Sequence, residues 1–336
     1  MRYVGLDFHT RQSTFCVLDE NGKKLGSRTV RGHWPKVINE LAKVKRPFSI
    51  CFEASTGYGH LYERLKTVAQ NVKVAHPGHL FWIYRTVRKN DPIDAEKLAK
   101  MLLLEMVPGV WVPSEKTRAW RGMIEFRSKT LQERTRVKNE IRALLRSKGI
   151  IVPMPLWTKK GMNWLKGVTI TNDLDALRRD MLIEQIESLN NRLKRVEKEL
   201  NKKGQEHPGV GLLMTIPGVG IRTGEAVTAY IDDPFRFSRN KAIGSYFGIV
   251  PCQDASAAMN RLGHITQQGP ATVRRLIVEA TWQGIRRSPE IRSYFERVKD
   301  GDRDRRKIAI VATAHYLLRV MLAMLRTGEM WRYCAA

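Results

Sequence analysis

Over its first hundred or so residues the chain alternates short apolar runs with amphipathic stretches. Runs at residues 3–9, 13–18 and 26–30 have the length and the aromatic or β-branched content of strands, and Asp19-Glu20-Asn21-Gly22 supplies a hairpin turn between the second and third. Residues 33–44 follow a helical spacing, 48–53 a strand, 60–70 a helix, 72–75 a fifth strand and 91–104 a helix. From residue 114 the pattern turns helical. Leu182, Ile186, Leu189, Leu193, Val196 and Leu200 recur at alternating spacings of four and three, the seam of a coiled coil that forms either an antiparallel hairpin or an oligomer contact. Residues 150–171, rich in Pro, Gly and Trp, read as an irregular connector.

Three antiparallel strands followed by alternating strand and helix is the element order of a ribonuclease-H-like (RuvC-like) fold. We therefore expect an α/β domain over residues 1–112, a basic helical and coiled-coil connector over 113–206, and a mostly helical domain over 207–336 that starts after the helix-breaking His207-Pro208-Gly209. In that last domain, Leu213 to Ala226 reads as a helix-hairpin-helix around Pro217-Gly218-Val219-Gly220. Gly218, Gly220 and Arg222 are then candidates for a sequence-independent phosphate contact. A plain tight turn between packed helices fits the same residues.

Charge narrows the partner. Lys and Arg number 59 against 33 acidic residues, giving a net charge of +26 and a pI near 10.2, which points to a polyanion, nucleic acid before membrane. Residues 114–148 alone hold eleven Lys or Arg against four Glu. No cleavable leader is visible, and residues 308–325, interrupted by His315 and Arg319, read as a buried core helix rather than a membrane span. Four scattered cysteines without C-x-x-C spacing fit a reducing cytoplasm and argue against a zinc ribbon.

The candidate chemistry lies in carboxylates on apolar strands. Asp7 interrupts the first strand, and an unpaired buried carboxylate costs several kcal/mol, so a positive partner is expected. Glu53 closes the fourth strand, and Asp91 and Asp94 open a helix in Asp91-Pro92-Ile93-Asp94. Each has an ordinary alternative: a salt bridge for Asp7, a cap on the next helix for Glu53, an N-cap for Asp91 and a favourable first-turn charge for Asp94. Together the four would form an oxygen-rich site for one or two Mg²⁺ ions.

Val4-Gly5-Leu6-Asp7, Phe52-Glu53-Ala54-Ser55-Thr56-Gly57 and Asp91-Pro92-Ile93-Asp94-Ala95 occur in order in the first part. Ile216-Pro217-Gly218-Val219-Gly220, Gly248-Ile249-Val250-Pro251, Arg261-Leu262-Gly263-His264-Ile265-Thr266, Gly269 and Arg274 follow in the second. On these motifs the whole chain resembles the DEDD-type insertion-sequence transposases, the Piv-like family of bridge-RNA-guided serine recombinases. The resemblance implies a Mg²⁺ site of Asp7, Glu53, Asp91 and Asp94, and a C-terminal transposase domain whose Ser256 becomes covalently joined to DNA. It implies donor and target DNA and an element-encoded structured RNA as partners, a dimer or tetramer with active sites shared between subunits, and a cytoplasmic location at the nucleoid. Arg261, Arg274 and Arg275 are candidates to offset transition-state charge, and Lys116–Lys148, Trp157 and Trp164 to grip RNA, although core packing suits either tryptophan as well. Where the family carries a Ser-Ser-Gly-Gly-Lys-like run, this chain has Ala255-Ser256-Ala257-Ala258-Met259, and Gln267 replaces a frequent lysine. A metal-only nuclease and a non-catalytic nucleic-acid-binding protein are the alternatives.

Overall fold

The computed structural model describes residues 1–83, 90–256 and 259–332. They form two compact units, Met1–Glu115 and Lys116–Ala336. The first is mixed α/β, as expected. Its strands are β1 (Arg2–Phe8), β2 (Gln12–Leu18), β3 (Lys24–Arg31), β4 (Phe48–Glu53) and β5 (Asn71–Ala75), in the sheet order β3-β2-β1-β4-β5. β1, β2 and β3 run antiparallel in sequence, and β4 and β5 lie parallel to β1 and to each other. The turn after β2 forms on Asp19, whose side chain accepts from the amides of Asn21 and Lys23.

Strand alternation gives the sheet two apolar faces. Val4, Leu6, Phe15, Val17, Ile50 and Phe52 pack on one face against Val37 and Leu41 of α1 (Trp34–Leu41) and Leu61 and Leu65 of α2 (Tyr58–Leu65). Beyond β5 lies α3 (Pro77–Ile83), and the opposite face is covered by α4 (Asp91–Leu103). There Cys16, Leu18 and Cys51 meet Ala95, Leu98, Ala99 and Met101. The approach of α4 to β1 is set by Gly5, where a Cβ would run into the carbonyl oxygen of Ala95 and the amide nitrogen of Ala99.

The second unit begins with two long helices, α5 (Glu115–Ser147) and α7 (Asp173–Glu206), joined through α6 (Lys159–Gly167). They run antiparallel. Arg127 pairs with Glu197, Arg134 with Asn190, and Lys148 with Asp175 at the far end. All six predicted seam positions are buried: Leu182, Ile186 and Leu189 against Val137, Ile141 and Leu145, Val196 and Leu200 in the core that contains Trp120 and Ile124, and Leu193 between the two groups along α7. The connector is less irregular than expected. Thr158 accepts from the Gly161 amide to start α6, and Leu165 buries into the α5–α7 cluster, so a capped apolar face overrides the Pro and Gly content around it. Trp157 and Trp164 pack partly buried on that cluster, with Lys138 Nζ 4.8 Å from the Trp157 ring centre.

The remaining elements are α8 (Pro208–Leu213), α9 (Ile221–Ile231), a 3-10 turn (Pro234–Arg236), α10 (Ala242–Tyr246), the hairpin β6 (Pro251–Ser256) and β7 (Met259–Ile265), α11 (Ala271–Arg287), α12 (Pro289–Lys299) and α13 (Arg306–Thr327). α13 is long and apolar enough to cross a membrane by composition, but Ala314, Leu317, Leu318 and Met321 are buried in the core of this unit.

Because the Gly5 site is filled by backbone, replacing it forces α4 off the sheet. Gly5→Val is expected to destabilise the first unit by at least about 3 kcal/mol, the upper end for overpacking, seen as a lowered melting temperature and faster proteolysis within residues 1–115. An unchanged melt would contradict the packing described.

Candidate active site

The packing that Gly5 permits decides where the acids meet. Asp7 follows Gly5 by two residues and so stands on the face covered by α4. α4 enters that face at its N-terminal end. Asn90 caps the helix, its side chain accepting from the Ile93 amide at 2.9 Å, so Asp91 is not the N-cap that the sequence allowed. That frees the Asp91 carboxylate. Ligand atoms of Asp7, His9 and Asp91 all lie within 4.8 Å of one another.

The partner that Asp7 demands is His9, not a lysine, with Nε2 3.3 Å from the carboxylate. Asp91 accepts from Gln12 Nε2 at 3.4 Å, across from β2. Asp94 lies one helical turn further, 3.7 Å from Lys97. Burial pushes the Asp7 carboxyl above its ordinary value of 3.8; His9 pulls it back, and the charges of Asp91 and Asp94 raise it further. Burial and the two neighbouring negative charges thus raise the proton affinity of Asp7, an excess of negative charge that a bound cation would relieve. The mainly oxygen donor set fits a hard divalent ion such as Mg²⁺.

Glu53 stands outside the Asp7–His9–Asp91 group. It is exposed at the end of β4, one residue past Phe52, which pairs with Leu6, and so lies level with Asp7 on the neighbouring strand. Cys51 packs on α4, which places Glu53, two residues on, on the same face. It does not cap α2, whose N-cap is Gly57 without a side-chain bond. His9 and Gln12 were not among the sequence candidates. His9 was within reach of strand alternation from Asp7; Gln12 depended on the β1–β2 register.

Ser256 is the last residue of β6, in register with Met259, and its side chain lies outside the described residues, as do residues 257 and 258. The helical expectation for this region therefore gives way locally to a two-stranded hairpin. Arg261 is exposed on β7 opposite Asp254. Arg274 is turned inward, donating to the carbonyls of Phe247 at 3.2 Å, Gly269 at 3.1 Å and Gln268, where it ties the hairpin's return to α11. Arg275 donates to Ser128 Oγ at 3.1 Å. Arg222 is held by Glu225 at 2.7 Å and by Asn201, and burial pushes the Glu225 carboxyl up to about 7. Gly218 has φ +93°, and a Cβ there would strike the Gly284 amide of α11. The glycine turn thus has a packing reason of its own, and Gly220 is the N-cap of α9.

Residues 4–149 match the DEDD transposase model of the IS110 group, and residues 210–296 match the model described as the transposase IS116/IS110/IS902 family, together more than half of the chain. The chain is 26% identical to a Pseudomonas aeruginosa protein named "Probable family 20 transposase", over 88% of this chain and 89% of that one. It is 24% identical to the transposase for insertion sequence element IS1111A of Coxiella burnetii, over 83% and 76%. The transposase for insertion sequence element IS1328 of Yersinia enterocolitica matches at 22%, over 76% and 77%.

The raised proton affinity of Asp7 has a signed consequence. A carboxyl that binds its proton more tightly when folded costs stability once it is ionised, so the metal-free first unit loses stability as pH rises from 3.8 through the raised value. Asp7→Asn is expected to raise the melting temperature at neutral pH in EDTA and to flatten its pH dependence over that range. A lowered melting temperature would contradict the charge crowding.

Proposed function

As a member of the IS110 family of DEDD transposases, the chain is an insertion-sequence transposase that cuts and rejoins DNA, and we propose that it does so through a Mg²⁺ site on the sheet together with Ser256. The observation that carries the first half is the convergence of Asp7 and Asp91, with Asp94 a turn away, at the end of the sheet face that α4 covers. Asp7, Asp91 and Asp94, with Glu53 level on β4, would hold the cation, while His9 and the Gln12 amide fix the orientation of the first two carboxylates. When bound, the ion supplies Lewis acidity and charge neutralisation at a phosphodiester.

The second half rests on the family resemblance and on the placing of Ser256 at the end of a β-hairpin. In this reading the serine oxygen attacks phosphorus, its O–P bond forms as the bond to one strand oxygen breaks, and the leaving oxygen takes up a proton as the serine gives one up. The energy of the phosphodiester is kept in the serine ester, so reversal onto another strand rejoins DNA without hydrolysis. Arg261, exposed on the same hairpin, is the cation best placed to meet a phosphate there. No lysine within the run around Ser256 is available to help.

A structured RNA that pairs with donor and target DNA would supply much of the specificity. Support comes from α5, where Lys116, Lys129, Arg142 and Arg146 are exposed along one long helix. Trp157 is less suited to stacking, since Lys138 and Arg142 already lie over its ring. Because the apolar seam of α7 is filled within the chain, a contact between subunits in a dimer or tetramer would use another surface of the α5–α7 pair.

A denaturing gel separates the possibilities. With Mg²⁺, element-end DNA and the RNA transcribed beside the element, the wild-type chain is expected to form a covalent protein–DNA adduct. Ser256→Ala should abolish it, and Asp7→Ala should lower it about 100-fold or more, the scale on which lost charge stabilisation acts. Cleavage without an adduct, undiminished in Ser256→Ala, would replace the serine mechanism with a metal-only nuclease.

A further inference from the structure

We propose that the pocket at the C-terminal end of α5 takes one unpaired nucleotide from a loop of folded RNA, its base on the apolar walls and its flanking phosphates on Arg142 and Arg146. The inference rests on the reading that a structured RNA is a partner.

Between the last turns of α5 and the segment that leads to α6 lies a pocket of about 370 Å³. Its apolar walls include the buried Leu145 and Leu156 and the half-buried Val152 and Met154. Arg142 and Arg146, both exposed, are its only charged lining. The volume lies at the small end of the range for ligand pockets, roughly 300–1,000 Å³, which suits one flat ring system and excludes a helix. Apolar walls beside two guanidinium groups call for a ligand that is flat and apolar in one part and anionic in the other. A nucleotide has that division, with a base to stack and a phosphate to pair.

The pocket ends a row of cations. Arg134, Lys138, Arg142 and Arg146 recur every four residues along one face of α5, about 6 Å apart and spanning about 18 Å. Among the described residues none of the four pairs with a carboxylate. Arg134 donates to Asn190 at 3.1 Å and Arg142 to Asn139 at 3.2 Å, while the acids beside them in the helix turn elsewhere, Glu133 to Arg192 and Glu140 to Arg136. Lys138 and Arg142 both lie over the Trp157 ring, 4.8 and 5.4 Å from its centre, which keeps the two in line. Burial, with the charges of Arg134 and Arg142, pushes the Lys138 ammonium below its ordinary value, so the crowding is felt within the row. Like charges four residues apart destabilise a helix, and a run of phosphates along the row removes that cost. Arg142 belongs to both the row and the pocket, so a strand that follows the row delivers a base to the pocket at its end. A duplex keeps its bases stacked inside, whereas the loop of a folded RNA splays them outward. The pocket therefore selects a loop.

The test measures binding of the full chain to an RNA hairpin with an all-uridine loop, to the same hairpin with abasic loop positions, and to the blunt duplex of its stem. Abasic positions should weaken the wild type by about 10-fold, the scale of one stacked base. Met154→Trp, which fills the pocket, should weaken the uridine loop equally, keep duplex binding, and show no further loss with the abasic loop. An Arg142→Ala, Arg146→Ala double variant, which alters only exposed side chains, should make the slope of log K against log salt shallower by about 1.4 for the hairpin. Equal binding of uridine and abasic loops by the wild type, or a loop effect larger in the matching DNA hairpin than in RNA, would overturn the proposal. The RNA transcribed beside the element is assayed in parallel. Failure of the wild type to bind that RNA at all would sink the structured-RNA reading, whereas tight binding that ignores both the filled pocket and the abasic loop would sink the pocket alone.

Discussion

The acid site depends on backbone lying directly on backbone. α4 can bring Asp91 and Asp94 to the end of β1 only because Gly5 leaves room for the Ala95 carbonyl and the Ala99 amide. One added carbon would lift the helix, and the carboxylates would separate. The same contact creates an electrostatic cost, since it crowds like charges on a partly buried Asp7. The amide end of α4 offsets some of that charge, as helix N-termini do for anions. The rest is stability given up where the chemistry is placed, a familiar pattern at functional sites.

Much of the first unit was legible because its signals are local. Alternation located the five strands, turn residues located the hairpin, and the Asp-Pro pair located the start of α4. What local pattern could not supply was register. Asn90 and Asp91 are both good caps, and choosing between them needed the bond to the Ile93 amide. Gln12 reaches Asp91 only because β2 lies where it does against β1, and Glu53 is level with Asp7 only because β4 pairs with β1 in parallel. His9 was hidden by its ordinariness, as a single histidine at the end of a strand.

The second unit divides the same way. A four-three repeat announced the long helices, and their antiparallel pairing follows from complementary partners such as Arg127 with Glu197 and Lys148 with Asp175. The basic residues were harder to sort. Arg222, Arg261 and Arg274 look alike in sequence, yet two are consumed by protein acceptors and one is exposed on the hairpin that carries Ser256. Only the acceptors, set by tertiary packing, distinguish an arginine that braces a loop from one that can meet a phosphate. The short helix α6 was missed because its cap and buried leucine sit among Pro, Gly and Trp.

The most direct measurement is Mn²⁺ titration of the full chain at neutral pH, followed by electron paramagnetic resonance, with Mn²⁺ standing in for Mg²⁺ as a cation that favours the same carboxylate oxygens. If Asp7 and Asp91 hold the ion, the wild type takes up Mn²⁺ saturably, and Asp7→Asn and Asp91→Asn each weaken that uptake by about 10-fold or more. Equal uptake by all three proteins would contradict a metal site at the end of β1.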